Sequence, residues 1–260
     1  MNQEELIRQL QKKRLVFTVT TGRSGTAYLS AILGYARDTY AVHEPEPEFA
    51  EVLRPVQKNH DLAINFLLEK KLPAILRNPA AIYIETSHLT CKGFLEPLLQ
   101  LGLVPDLVIH RRPARDVARS MLTMGTIPGR SEKGLRFYLS PDDPNVLQLA
   151  NWQTMHDYQL CYWYCLEIER RCQVYKDIFT QRGAKIAETT LVSLRTFSGL
   201  VDCFTALNLQ LRFPAWLTRL RFQRAARVRV NESLETKKNI VLPENLLELE
   251  QEVLARINAG

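Results

Sequence analysis

The sequence predicts an α/β domain in three layers, with a central parallel sheet of about five strands between two layers of helices. Three observations predict it. Short β-like runs alternate with helical patterns through much of the chain, the rhythm of parallel strands joined by crossover helices. With 260 residues, 46% of them hydrophobic, the chain can bury the core that a helix-covered sheet demands, and one domain spanning 1–260 is expected. Two of the strand-like runs also end in a cluster of arginine and hydroxyl residues just before a helical pattern resumes, and strand tips are where open α/β sheets gather their binding groups.

Residues 15–20 read as the first strand and 25–35 as the helix after it. Further strands are expected at 39–42, 81–85, 106–110 and 184–187, with helices around 48–56, 62–71 and 93–101. Residues 151–180 lack Pro and Gly and repeat Leu160, Trp163, Tyr164, Ile168, Cys172 and Tyr175 at helical spacing, which predicts one long packing helix. Residues 125–144 are crowded with Gly, Pro, Ser and charge, a composition that predicts a long loop of the kind that serves as a lid or a binding loop. No internal repeat or low-complexity tract interrupts the pattern.

A net charge of +6 suits a protein that holds a polyanionic small ligand and equally one that touches nucleic acid or an anionic surface, so charge alone does not choose. The five cysteines are odd in number and form no CxxC pair, against a secreted disulfide framework. Cys161, Cys165 and Cys172 share a helical face, but thiols so spaced with no fourth ligand nearby read as packing, and no metal is expected. The first residues form a polar, amphipathic stretch (Glu4, Glu5, Leu6, Ile7, Leu10) with no apolar signal region, and no run is long enough for a membrane span. A cytoplasmic protein is the expectation.

The most informative segment follows the first strand, where Thr20-Thr21-Gly22-Arg23-Ser24-Gly25-Thr26 leads straight into a helix. Gly22 and Gly25 allow backbone N–H groups to approach an anion, the helix start adds N–H groups and positive partial charge, and Arg23, Ser24 and Thr26 add a cation and hydroxyls. The GxxxxGK[ST] pattern of an ATP or GTP loop is absent. A second strand, 107–110, runs into Arg111-Arg112-Pro113-Ala114-Arg115-Asp116-Val117-Ala118-Arg119-Ser120, again delivering guanidinium and hydroxyl groups to the mouth of a helix.

In type and order these segments resemble the two nucleotide-binding motifs of sulfotransferases that use 3'-phosphoadenosine-5'-phosphosulfate (PAPS). The resemblance implies a P-loop NTPase-like sulfotransferase fold. It implies that Thr21, Gly22, Arg23, Ser24, Gly25 and Thr26 hold the 5'-phosphosulfate and that Arg112 and Ser120 hold the 3'-phosphate. Arg111 takes the Arg role if the loop carries one extra residue, because Pro113 sits one position earlier relative to Asp116 than in the commonest form of the motif. A basic segment near the C-terminus closes over the nucleotide in this family; Arg227 and Arg229 are the candidates here, although the usual Gly-rich form of that loop is missing. The implied reaction moves a sulfuryl group to a hydroxyl or amine of a small-molecule or carbohydrate acceptor, without metal, and releases 3',5'-adenosine bisphosphate (PAP).

Such a transfer needs a base for the acceptor's proton and cations for the charge that develops on the leaving phosphate. Arg23 is the catalytic cation. Two positions offer the base. The strand at 39–42 ends in His43-Glu44-Pro45, similar to a Glu-Pro in bacterial and carbohydrate sulfotransferases, which points to Glu44. The strand at 81–85 ends in Thr86-Ser87-His88-Leu89, similar to the Thr-His-Leu of cytosolic sulfotransferases, which points to His88. An imidazole titrates near neutrality unaided, whereas a carboxylate needs help from its surroundings, so chemistry favours His88 while motif shape favours Glu44; both stay open, with His43 and Glu85 as neighbours. Two rival functions remain. A nucleotide or small-molecule kinase on a related fold would require magnesium and ATP. The other is a non-catalytic binder of nucleic acid or of a phosphorylated ligand; a nucleic-acid face would use the run Arg219, Arg221, Arg224, Arg227 and Arg229 with Trp216 and Phe222.

Overall fold

The structure, a computed structural model, describes residues 2–226 and 242–258. Its elements in chain order are α1 Gln3–Leu10, β1 Arg14–Thr20, α2 Thr26–Leu33, β2 Thr39–Val42, α3 Leu53–Lys58, α4 Asp61–Phe66, α5 Leu72–Arg77, β3 Ile82–Glu85, α6 Leu95–Gln100, β4 Asp106–Arg111, α7 Ala114–Met124, α8 Glu132–Phe137, α9 Asp157–Gln181, β5 Ile186–Thr190, α10 Phe197–Ala206, α11 Ala215–Ala226 and α12 Leu246–Asn258. The five strands form one sheet in the order β2-β3-β1-β4-β5, every pair parallel. Residues alternate between its faces, as the two-residue period of a strand requires. Leu15, Phe17, Val19, Tyr83, Leu107 and Ile109 enter one core, packed under α6, α7 and α9. Val16, Ile84, Val108 and Ala187 enter another, packed under α2 and α10. The expected three-layer α/β architecture is therefore present, and near-continuous apolar runs in β1 and β4 follow from burial on both faces. Among the described residues, no helix is long and apolar enough to cross a membrane.

Because all strands run the same way, Thr20, Val42, Glu85, Arg111 and Thr190 end at one edge of the sheet. With β1 in the centre, the turn after it is flanked by the turn after β3 on one side and the turn after β4 on the other. That placement brings the segments singled out above to one surface.

Several expected boundaries move. The strand expected at 184–187 is Ile186–Thr190: Gly183, at φ 81°, and Ala184 close the end of α9, and the strand runs on through polar residues, with Ala187 and Thr189 buried while Glu188 and Thr190 face water. The helix expected at 48–56 is a short 3-10 turn, Phe49–Glu51, followed by α3. The helix expected at 62–71 begins as α4, widens into a π turn at Leu67–Lys71 and continues as α5 to Arg77, with a proline in the first turn of α5. The long helix starts at Asp157 rather than 151. His156 caps it, its Nδ1 accepting from the Tyr158 N–H at 3.0 Å while Gln159 Oε1 accepts from the His156 N–H at 2.8 Å.

The lid-like loop at 125–144 is instead packed against the body of the protein. It contains α8, capped by Ser131, and Tyr138, Leu139, Ser140 and Pro141 are buried. Arg54 fastens it, donating to both carboxylate oxygens of Asp143 (2.8 and 3.0 Å) and to the Tyr138 carbonyl (2.7 Å). A polar composition signals a loop only while its polar groups face water; here a bidentate guanidinium and a helix cap satisfy them.

Candidate functional site

The turn between β1 and α2 is shaped by its glycines and by one strained residue. Gly25 takes φ 96°, and a Cβ there would lie 2.9 Å from Leu191 Cδ1. A Cβ on Gly22 would lie 2.7 Å from Tyr138 Cε1, so this glycine makes room for an aromatic ring rather than only for an anion. Arg23 is left-handed at φ 63°, a conformation unfavourable for a side chain with a Cβ, and its side chain is exposed. The first turn of α2 adds N–H groups that have no partner inside the helix.

Ser24 departs from expectation. It is buried, and its Oγ lies 2.8 Å from both Thr20 Oγ1 and the Thr21 carbonyl, so the hydroxyl expected on a phosphate is engaged inside the turn. His110, at the tip of β4, supports the turn from below. It lies 3.1 Å by Nε2 from the Ser24 carbonyl and 3.0 Å by Nδ1 from Thr189 Oγ1; a carbonyl only accepts, so Nε2 carries the hydrogen. Burial pushes the pKa of His110 down to about 4. Thr26 is buried at the start of α2, where its carbonyl accepts from Thr86 Oγ1 at 2.9 Å and ties the turn to the end of β3.

The second basic segment meets the first. Arg112 Nη1 donates to the Arg23 carbonyl at 2.8 Å, and Arg23 Nε donates to Ser120 Oγ at 3.2 Å. Residues 89 and 97 positions apart in sequence are thereby joined into one cationic surface. Arg111 is excluded from it. Its guanidinium pairs with Glu169 (2.9 Å) and Glu188 (2.7 Å); burial acts to lower its pKa, but these carboxylates outweigh it and hold the pKa raised. Of the two arginines left open by the sequence, Arg112 is the one at the turn.

The two candidate bases lie together. Glu44 Oε1 is 3.6 Å from His88 Nε2 and 3.5 Å from the His88 N–H, and Glu44 Oε2 is 3.8 Å from His43 Nε2. Glu44 is held at φ 44°, a second left-handed residue in the site. Below it, Lys71 Nζ donates to the carbonyls of Pro45 (3.1 Å) and Pro47 (3.0 Å) and pairs with Glu85 Oε1 at 2.8 Å, both side chains being almost wholly buried. Burial raises the pKa of Glu85, with Lys71 opposing part of the shift. Glu85 thus serves the turn that carries Glu44 and does not face the site itself. On the other side, the Tyr138 ring lies 5.4 Å from the His88 ring, and Lys92 Nζ lies 2.7 Å from His88 Nδ1.

Sequence reasoning missed Lys71, Lys92, His110 and Tyr138. For Lys92 a signal existed, since His88 and Lys92 are four apart; Tyr138 had none, being placed entirely by the packing of residues 125–144. Arg227 and Arg229 lie outside the described residues. Phe222 is buried against Phe197, with ring centroids 6.0 Å apart, and so is not a stacking platform for bases, although Trp216 is exposed. Cys161, Cys165 and Cys172 are buried free thiols, and among the described residues no group of three His, Cys, Asp or Glu side chains gathers as a metal site. A cavity of about 430 Å³ opens at the opposite end of β1, lined by Lys12, Lys13 and Arg14, two of which are engaged: Lys13 Nζ donates to the Asn78 carbonyl at 2.8 Å and Arg14 Nε to Asp106 at 2.7 Å.

No family model matches the chain, and no curated protein is a significant match to it.

Proposed function

We propose that this protein is a sulfotransferase that moves a sulfuryl group from PAPS to a hydroxyl, or an amine, of a small-molecule or carbohydrate acceptor. One observation carries the reading: Arg112 and Ser120, from the segment after β4, close on Arg23, in the turn after β1. Two anion-binding groups so near one another suit the two ends of a bisphosphorylated nucleotide. The donor set fits such a ligand, because the first-turn amides of α2 and Arg23 offer one anion site, and Arg112 with Ser120 the other.

In the reaction, Arg23 and the α2 amides stabilise charge on the phosphate as the sulfur–oxygen bond breaks, and the new bond forms to the acceptor oxygen or nitrogen in line with it. Glu44 and His88 sit on the β3 side of the turn, where either could take the acceptor's proton. Tyr138 and the segment 125–144 form the adjoining wall, against which the acceptor would lie.

Calorimetry with PAP, with ATP plus magnesium, and with a short oligonucleotide tests this reading. Metal-independent binding of PAP is expected. Magnesium-dependent ATP binding would replace it with a kinase, and salt-sensitive oligonucleotide binding with indifference to PAP would replace it with a nucleic-acid binder. Incubation with PAPS and a pooled metabolite extract should then reveal a product heavier by one sulfuryl group, which identifies the acceptor.

A further inference from the structure

Resting on the transfer reading above, two candidate bases remain, and the hydrogen bonds around His88 separate them. Lys92 Nζ lies 2.7 Å from His88 Nδ1 and donates to the Phe137 carbonyl at 2.6 Å. The same nitrogen lies over the rings of Tyr138 and Tyr164, 4.8 and 5.0 Å from their centroids, an environment that favours the cation. An ammonium has donors and no acceptor, so the imidazole nitrogen facing it must be the bare one. A neutral imidazole with a bare Nδ1 carries its hydrogen on Nε2. Nε2 is the nitrogen that faces Glu44 Oε1, at 3.6 Å, just beyond hydrogen-bond length in a ligand-free site.

We propose that Lys92 locks His88 as the Nε2–H imidazole, which donates toward Glu44 and positions it, so that Glu44 alone accepts the proton of the incoming nucleophile. A nitrogen that already bears a hydrogen cannot act as the base. In the transfer, the acceptor's O–H proton goes to the Glu44 carboxylate, the acceptor oxygen bonds to sulfur, and the sulfur–oxygen bond to the 5'-phosphate breaks with its electron pair on that phosphate. His88 and Lys92 are positioning residues that touch no reacting atom.

The surrounding charges support a neutral His88. Burial is the largest influence, followed by Lys92, His43 and Arg23, and all four push its pKa well below the usual imidazole value. Burial pushes the pKa of Lys92 down to about 7, with Cys91 and Glu44 opposing the shift and Arg54 and Arg171 adding to it. The ammonium is therefore present on the acid side of neutrality, and the test belongs there.

The test is ¹⁵N NMR of the full ligand-free chain, labelled at histidine, at about pH 6. The expected spectrum shows His88 with an unprotonated Nδ1 and a protonated Nε2, and Lys92→Met should release that lock and let His88 titrate at higher pH. A protonated Nδ1 in the wild-type chain, or an imidazolium, would overturn the proposal without any need for the variant to fold. In the transfer assay, Glu44→Gln should lose about 10² to 10⁴ in kcat. His88→Gln, whose amide can still donate to Glu44, should lose only about tenfold and leave the pH profile in place. Equal losses in the two variants would also overturn it. PAP calorimetry reads the transfer function separately: a locked tautomer in a chain that ignores PAP keeps the His88–Lys92 assignment and removes the reaction.

Discussion

Arg23 joins the two halves of the candidate site, and it does so from an unfavourable backbone conformation. At φ 63° it should cost about 1 kcal/mol relative to glycine, and Glu44 at φ 44° carries a similar penalty. Arg23→Gly is therefore expected to raise the denaturant midpoint slightly while weakening PAP binding, a stability gain with a functional loss that calorimetry and a urea titration would read together. Arg23→Ala should lower transfer by about 10² to 10³ with the fold intact. The neighbouring arginines discriminate further. Arg112→Ala should weaken PAP binding by roughly ten- to a hundredfold, the worth of a charged hydrogen bond, whereas Arg111→Ala should leave it unchanged because Glu169 and Glu188 occupy that guanidinium. A reversed pattern in calorimetry would reassign the second cradle.

At the scale of elements, the site depends on two pieces of scaffolding. The first is the turn after β2, held from beneath by Lys71 at the end of the π turn and by Glu85 at the end of β3. Removing one member of such a buried pair leaves the other uncompensated. Lys71→Met or Glu85→Leu alone should cost about 3 to 5 kcal/mol, and the double substitution should cost less than either single one, measured by chemical denaturation. The second is α8, which sits where composition predicts only a loop. A Cβ on Gly134 would lie 1.8 Å from the Ile127 carbonyl oxygen, so Gly134→Ala should destabilise the protein by about 1 to 3 kcal/mol and loosen the Tyr138 wall. A wild-type unfolding midpoint in Gly134→Ala would show that α8 does not hold this position.

For the molecule as a whole, the packing at the strand tips makes stability depend on pH. His110 is neutral when folded, with a pKa near 4, against an ordinary value of 6.5. The unfolded chain therefore binds a proton that the folded chain refuses over the interval between those values. Stability is full above about pH 6.5 and declines as pH falls toward 4, by on the order of 3 kcal/mol for this residue. Buried His88, also depressed, acts in the same direction. Denaturant midpoints at pH 7 and pH 5 should differ accordingly, and His110→Asn should reduce the difference, leaving the share of His88; a flat wild-type profile would contradict the buried neutral imidazole.

Much of this was legible without coordinates, for a local reason. Strand and helix periods, the glycine turn after β1 and the Arg-Pro-Asp-Val-Ser segment after β4 are written within a few residues of one another, so the α/β class, the five strands and the two basic tips follow from the sequence alone. What the tertiary structure decided depends on which strand lies beside which. The order β2-β3-β1-β4-β5 makes Glu44 and His88 neighbours, turns Arg112 rather than Arg111 toward Arg23, buries the Ser24 hydroxyl and sets Lys92 and Tyr138 behind His88. No local pattern encodes these contacts, because their partners are brought together only when the sheet closes its long-range pairings: Arg23 and Ser120 are 97 positions apart.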